Sequence, residues 1–350
     1  MNDSRNGLSQ SSWELKIIAF LAIIFIFFIA QPILFPLLLA FFLYLLLKPV
    51  VQLLQQLRIP KILASALITA LLLGVISVGI SSLAEPAAHW IDKAPEKMQV
   101  LEQKFYFVKK PLAKLSDAFK KIKTITETKQ TPKIEVKTDV TDISYSIFDL
   151  TTNVILLIFL TLTNLFFLLI YSETIFNNLQ KIITSRQTKI ANNFLLSIER
   201  DISTYLVTFT IICICFGIAI ATALWLVSLP NAMLWGVMAA GLNFIPYIGP
   251  AIGISVVFFI SLLTFDSYFY ILLPPLLYFL ISNVEGQIIT PILLGHRLNL
   301  NPLIVFFSII FWAWLWGIGG AILSIPLLTV AKIMMVNVPS LAKYSLLLEK

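Results

Sequence analysis

Long apolar stretches constrain the fold of this chain more than any other feature of its sequence. Six of them reach the roughly 20 apolar residues that a helix needs to cross a hydrocarbon core about 30 Å thick. Apolar residues make up 59% of the chain and charged residues only 12%, which the surface of a water-soluble protein would not accommodate. The stretches do not alternate in polarity as β-barrel strands do, so we expect an all-α, polytopic membrane protein.

About eight hydrophobic segments follow one another along the chain. Two helices are expected within residues 17–47, meeting near Gln31, Pro32 and Pro36. The other predicted segments are 61–83, 149–171, 205–228, 231–264, 269–291 and 301–336. This layout predicts N-terminal transmembrane helices over residues 1–84 and a transmembrane transport domain over residues 149–350.

Basic residues in short loops predict the orientation of the chain. Lys and Arg cluster at 48–61 and at 181–200, two spans apart, and this bias is typical of cytoplasmic loops. Both termini also carry basic residues, among them Lys332 near the C-terminal end, so both are expected on the cytoplasmic face. The net charge of +7 is explained by this topology and does not indicate a nucleic-acid partner.

One sizeable polar insert, residues 85–148, is expected on the opposite, extracytoplasmic side. Apolar residues recur at spacings of three and four from Trp90 to Ile122, which predicts an amphipathic helix bent at Pro111. We interpret this stripe as a helix that packs on itself or on the membrane domain, with self-association or gating as the alternative. A second stripe predicts interfacial helices at 172–204.

The segment 231–264 is too long for one straight transmembrane helix, since it would extend about 51 Å. Its middle contains NFIPYIGP at 243–250, where two prolines and a glycine oppose regular helix. Backbone groups freed inside a bilayer must be buried in protein or line a water-filled cavity. The predicted solute or ion path therefore includes Asn243, Pro246, Tyr247, Gly249 and Pro250.

Two alternatives remain open for this segment. The prolines and the glycine could merely kink packed membrane helices. The segment could also cross the membrane once or double back as a re-entrant hairpin, and the positive-inside bias favours the hairpin. Residues 301–336 repeat the pattern, with a predicted break around Gly317 and Gly320 and with Pro326 beyond them.

Glu285 is the only charged residue in the apolar span 269–291. Burying a carboxylate in a membrane is costly, so its side chain should face a cavity or a polar partner. We predict that Glu285 couples transport to a proton or cation and that Gln287 lies beside the path. The alternative is a glutamate that hydrogen-bonds to another helix or extends to the membrane surface.

The remaining candidate chemistry is sparse. Cys213 and Cys215 are two residues apart in one apolar span, so they point in different directions and predict neither a disulfide nor a metal site. His89 and His296 are too few and too isolated for a metal or proton-relay site. No nucleotide-binding loop or nucleophile elbow occurs, so we expect no cofactor and no enzyme activity.

Three runs resemble the autoinducer-2 exporter family of bacterial membrane proteins: NFIPYIGP at 243–250, VEGQIITPILLGHRLNLNP at 284–302 and WLWGIGGAILSIPLL at 314–328. By position, the matching residues are Pro246, Gly249 and Pro250 in the first motif, Glu285, Pro291, Gly295, Leu300 and Pro302 in the second, and Gly317, Gly320 and Pro326 in the third. Ala313 and Gly319 depart from the pattern, since many relatives have glycine and a bulkier residue there.

The resemblance implies a transporter in the bacterial cytoplasmic (inner) membrane, assembled as a homo-oligomer such as a pentamer. It implies export of a small polar molecule such as the quorum signal, or sodium–proton antiport, and it adds Pro291, Gly295 and Pro302 to the expected hinge residues. The leading hypothesis is a secondary transporter of a small polar solute or a cation. A passive channel and a scaffold for envelope assembly are the alternatives.

Overall fold

Helices account for the secondary structure of the chain wherever the structure describes it. The computed structural model describes residues 3–86, 88, 90, 140–183, 188–294, 300–337 and 348, and no strand occurs among them. The helices are α1 Asp3–Ile29, α2 Gln31–Gln56, α3 Lys61–Pro86, α4 Val140–Ile183, α5 Thr188–Leu226, α6 Ala232–Leu242, α7 Ile248–Thr264, α8 Tyr268–Val284, α9 Thr290–Leu294 and α10 Pro302–Asn337.

Six of the described helices are long and apolar enough to span a membrane, and α6 and α7 are shorter apolar helices. The expectation of an all-α, multi-pass membrane protein is confirmed. The predicted stripe of the insert beyond Trp90, with its bend at Pro111, lies outside the described residues. The predicted interfacial residues 172–204 continue α4 and begin α5, apart from 184–187, which are not described, and their place along the membrane surface stays a prediction.

The two N-terminal helices meet where the sequence predicts a junction. The helix α1 ends at Ile29, and Ala30 joins it to α2. Pro32 lies in the first turn of α2, where a missing N–H breaks no helical hydrogen bond. Pro36 is buried inside α2 and does not end it.

The segment 231–264 folds back on itself and forms what we call the first hairpin, α6 and α7 with the turn 243–247. Gly217 of α5 lies against Ala240 of α6, since a Cβ on Gly217 would be 2.7 Å from the Ala240 Cβ. One residue earlier on α5, the Phe216 ring packs on Tyr278 at 5.8 Å, and Tyr278 lies against Gly253 of α7. Ala240 and Gly253 are thus level along α5, although a straight helix would separate them by about 20 Å.

The turn of the first hairpin has an unusual backbone. Tyr247 has φ 63° and ψ −51°, and the N–H of Ile248 donates to the Pro246 carbonyl at 2.7 Å, which is the strained geometry of a γ-turn. Gly249 then passes the end of α6 so closely that a Cβ would lie 1.9 Å from the Leu242 carbonyl oxygen. Pro250 lies in the first turn of α7, where its missing N–H interrupts no hydrogen bond, so it starts a helix here.

The long helix α10 also folds back, and we call its two halves, 302–315 and 318–337, the second hairpin. Trp316 and Gly317 leave helical geometry, with Gly317 at φ 66° and ψ −148°, a conformation that essentially only glycine adopts. The Ser308 hydroxyl donates to the Ser324 carbonyl at 3.3 Å, whereas sixteen residues of straight helix would separate them by about 24 Å. Gly320 lies against the Trp312 carbonyl oxygen as Gly249 lies against that of Leu242.

The two hairpins open toward opposite ends of α5. This central helix contacts α2, α4, α6, α8, α9 and α10. The first hairpin starts at Ala232, just after the Leu226 end of α5. The helix α8 then runs back along α5, and Leu294 of α9 joins the same core cluster as Ile202 and Leu206 near the other end. Because α10 starts from that end, the two hairpins enter the membrane domain in inverted orientations.

Replacement of Gly249 by alanine should destabilise the first hairpin, because a Cβ there meets a backbone carbonyl that has no room to move. We expect a loss of about 1–3 kcal/mol, the usual cost of overpacking, and a lower melting temperature of the detergent-purified protein. Gly241→Ala is the matched control, since nothing lies within 4 Å of the added Cβ. Equal melting temperatures for the two variants would contradict the close passage.

Replacement of Gly319 by alanine should destabilise the second hairpin through one side chain of α2. A Cβ at Gly319 would lie 2.3 Å from Cζ of Phe35, which explains why this chain has no bulkier residue there. Phe35→Leu should relieve the clash. The double variant should then be more stable than the two single effects together predict, with a coupling free energy of about 0.5–3 kcal/mol. Strictly additive effects would argue against this contact.

Candidate functional site

The turn of the first hairpin brings a polar side chain to the middle of α5. Asn243 is only 7% exposed, and its side-chain N–H donates to the Cys213 sulfur at 3.6 Å. The Phe244 ring packs edge-on against Phe209 at 5.4 Å, which fixes the turn at this height. Cys213 lies near the centre of the apolar stretch Glu199–Leu226 of α5, so the turn is far from both membrane surfaces.

Glu285 approaches the same place from another helix. Its side chain is 7% exposed, and it begins a π-helical turn, Glu285–Ile289, between α8 and α9. The hydroxyl of Thr290 donates to the Glu285 carboxylate at 2.5 Å, and the backbone N–H of Thr290 donates to the Glu285 carbonyl. The π-helical turn packs against α5, the helix that carries Cys213.

The turn of the first hairpin and the π-helical turn thus both pack against α5, which places Asn243, Cys213 and Glu285 in one region of the membrane domain. We call these three residues the midplane cluster. The π-turn brings Thr290, five residues on, back to the Glu285 side chain, and such turns are frequent at functional sites. Pro291, which cannot donate a helical hydrogen bond, follows directly after Thr290.

Two further buried hydroxyl groups lie next to the midplane cluster. Tyr205 of α5 is 1% exposed and Thr329 of the second hairpin is fully buried. The two side chains approach each other, but neither hydroxyl has a partner in regular hydrogen-bond geometry among the described residues. Lys332, one helical turn beyond Thr329, is also buried.

The sequence did not single out Tyr205, Cys213 or Thr329 as site residues. Each lies in an apolar stretch, where a single polar side chain is common and carries little signal. Thr329 and Lys332 are polar and three residues apart in an otherwise apolar segment, which places them on one face of a helix. That spacing is the sequence signal that could have identified Thr329.

Several predicted path and hinge residues lie away from the midplane cluster. Tyr247 is 67% exposed, and Gln287 is exposed on the far side of the π-turn. Pro291 and Pro302 are exposed at helix starts. Pro326 is buried inside the second half of α10, which continues through it, so the break lies at Trp316 and Gly317. Gly295, His296 and Arg297 lie outside the described residues.

The junction of α1 and α2 packs on one side of the break of the second hairpin. The indole N–H of Trp316 donates to the Phe27 carbonyl at 3.2 Å, and the Trp316 ring contacts Phe27 and Phe35 with ring centroids 6.3 and 6.0 Å apart. These contacts satisfy the indole and bury Trp316, whereas the next residue of the break, Gly317, is exposed. Protein therefore covers only one side of the second break in this conformation.

A partly buried ion pair joins α2 to the Glu199 end of α5. The Lys48 ammonium pairs with Glu199, whose Oε1 also accepts a hydrogen bond from the Tyr44 hydroxyl at 2.7 Å. The Ser203 hydroxyl donates to the Leu45 carbonyl at 2.6 Å. Charged groups thus lie at one end of α5 and the midplane cluster at its centre.

A resident metal has no obvious ligand set in the part of the chain that the structure describes. No three His, Cys, Asp or Glu side chains come together there. Cys213 is buried and Cys215 exposed, as expected for residues two apart on a helix. The chemistry that the midplane cluster offers is one amide, one thiol and one carboxylate, which suits hydrogen bonding and proton exchange.

Comparisons with known proteins agree with the motifs. Residues 17–340 match the sequence profile of the family described as AI-2E family transporter. The chain is 28% identical to the AI-2 transport protein TqsA of Escherichia coli K12 over 308 residues, which are 87% of this chain and 86% of that protein. It is 25% identical to YueF of Bacillus subtilis 168 over 353 residues, covering 95% and 94%.

A shorter and more similar match concerns YhhT of Escherichia coli K12. It is 34% identical over 149 residues, which are 43% of this chain and 42% of YhhT, so this match spans less than half of that protein.

Proposed function

The chain belongs to the AI-2E transporter family, and from that premise we propose that it is a secondary transporter that moves a small hydrophilic solute or a cation across the membrane. The observation that carries the proposal is the midplane cluster, in which the buried Asn243 amide binds Cys213 and the buried Glu285 lies on a turn that packs against the same helix. A buried amide and a buried carboxylate at this depth are costly unless they serve a polar cargo or its coupling ion.

The two inverted hairpins support this proposal. Each ends two half-helices within the membrane domain, and helix ends carry free N–H and carbonyl groups with partial charge. Interrupted helices of this kind form the solute and ion sites of many secondary transporters. Because the first hairpin opens toward one end of α5 and the second toward the other, a site beside both has a route to each membrane face.

The proposed cargo is a molecule like autoinducer-2, or a cation exchanged for protons. The name of TqsA makes AI-2 the first compound to test, and the proposed direction is export. Glu285 is the proposed coupling group, because it supplies the carboxylate of the midplane cluster. We further propose the bacterial inner membrane, cytoplasmic termini and a homo-oligomer such as a pentamer.

Replacing Glu285 by glutamine should abolish the pH dependence of transport while keeping the fold. In proteoliposomes with an imposed pH gradient, we expect AI-2 or sodium flux of the wild-type protein to follow the gradient and flux of Glu285→Gln to ignore it. Glu173→Gln is the matched control, since this exposed carboxylate of α4 pairs with Lys61. Gradient-driven flux that survives Glu285→Gln would remove the coupling role, and ungated flux in the wild type would favour a channel.

The thiol of Cys213 can report whether water reaches the midplane cluster. A cationic methanethiosulfonate reagent should modify a Cys215→Ala protein, which retains Cys213, in intact proteoliposomes. The same reagent should leave a Cys213→Ala protein unmodified, because Cys215 is exposed on the outer, apolar surface of the membrane domain. Mass spectrometry gives the extent of modification. A Cys213 thiol that reacts only after detergent denaturation would show that no aqueous route reaches the cluster.

A further inference from the structure

Two enclosed hydroxyl groups face each other between α5 and the second hairpin, on one side of the midplane cluster. The Tyr205 and Thr329 side chains approach each other, but their oxygens are fully enclosed and neither hydrogen-bonds in regular geometry to a described residue. A buried hydroxyl with a poorly oriented partner is only partly compensated for the water that it has lost. Such a pair can open to bind another hydroxyl-bearing molecule, water or a solute, between the two oxygens.

Tyr205 and Thr329 lie on a line from the Glu199 end of α5 to the midplane cluster. Tyr205 is about 9 Å along the helix from Glu199 and about 12 Å from Cys213. Thr329 is on the half of the second hairpin that returns toward the same end, and Lys332 lies one turn further along it. Buried polar groups therefore recur along this line, with Lys332 first, Tyr205 and Thr329 next, and Cys213 with its neighbours last.

The ring of Tyr205 is held in place, so its hydroxyl is not free to turn away. It stacks on Phe209 with the ring centroids 5.8 Å apart and the planes at 8°. Phe209 in turn packs against Phe244 in the turn of the first hairpin. The Tyr205 hydroxyl is thus fixed relative to both hairpins.

Other enclosed hydroxyls without partners in the described chain lie elsewhere and provide a comparison. That of Tyr278 lies against Gly253 of α7, and that of Thr161 belongs to α4. Neither lies on the line from Lys332 to Cys213. A role in solute movement is specific to the Tyr205–Thr329 pair if removing those other hydroxyls has no effect.

We propose that Tyr205 and Thr329 form a polar constriction that keeps a narrow passage hydrated between the Glu199 end of α5 and the midplane cluster, where water and a hydroxyl-bearing solute bind in transit. The inference rests on the proposed transport function. Narrow passages with purely apolar walls lose their water and close, so two hydroxyls at the narrowest point determine whether this passage conducts.

The test measures the modification rate of Cys213 in the Cys215→Ala protein, reconstituted into liposomes, with a cationic methanethiosulfonate added from one face at a time. Combining Tyr205→Phe with Thr329→Val removes both oxygens and keeps the shapes. We expect the rate from the face of the Glu199 end to fall at least tenfold and the rate from the other face to stay unchanged. Thr329→Ser, which keeps the hydroxyl, should retain the original rate.

The control combines Tyr278→Phe with Thr161→Val, which also removes two enclosed hydroxyls, and should leave both rates unchanged. Melting temperatures show whether each variant is folded. If the double variant does not fold, the single variants Tyr205→Phe and Thr329→Val are measured in its place. An unchanged rate from the Glu199 face, or an equal fall in the control, overturns the proposed constriction. Reaction of the parent Cys215→Ala protein only from the opposite face also overturns it. If the parent reacts from neither face, the proposed transport function is overturned as well.

Discussion

A peptide group that leaves a helix inside a bilayer finds no water to bind, and this constraint shapes the C-terminal half of the chain. Two segments break in the membrane domain, and protein packs against one side of each break. The turn after α6 rests on α5 through Phe244 and Cys213, although Tyr247 in the same turn is exposed. In the turn of α10, Phe27 and Phe35 pack on Trp316, whereas Gly317 is exposed. These contacts keep part of the freed backbone of each turn away from lipid.

The same local contact, a glycine against a backbone carbonyl, makes both turns narrow. A glycine at the start of the returning half passes the last carbonyls of the entering half so closely that no Cβ fits, with Gly249 on Leu242 and Gly320 on Trp312. At the base of the first hairpin, Gly217 and Gly236 allow α5 and α6 to touch through Ala240 and Ala221. Close backbone approach through small residues is the usual way in which membrane helices associate, and here it holds the first hairpin rigidly on α5.

The sequence predicted much of the fold because lipid solvent leaves clear local signals. Apolar length identified the spans, and the two prolines and the glycine of 243–250 located the first break. The direction of the chain after each break was less accessible, because it depends on contacts such as that of Ser308 with Ser324, between residues whose proximity no local pattern shows. Pro326 suggested a hinge, yet the helix continues through it, since Gly317 supplies the backbone conformation that a reversal needs.

The candidate site was predictable only in part. Asn243 and Glu285 stood out as polar residues in apolar segments, and both belong to the midplane cluster. Gln287 was predicted beside the path and is exposed, two residues from the buried Glu285. Cys213, Tyr205 and Thr329 complete the buried polar region from three-dimensional packing alone.

If Glu285 binds the coupling ion as proposed, its place in the membrane domain makes that step respond to membrane voltage. The π-helical turn packs against α5 away from the chain ends, so an ion that reaches Glu285 from either face crosses part of the transmembrane potential. The full drop is worth about 2.3 kcal/mol per elementary charge at 100 mV, so half of it would change ion occupancy roughly sevenfold. The resting potential of the cell would then bias ion binding here even when the ion concentration is equal on both sides.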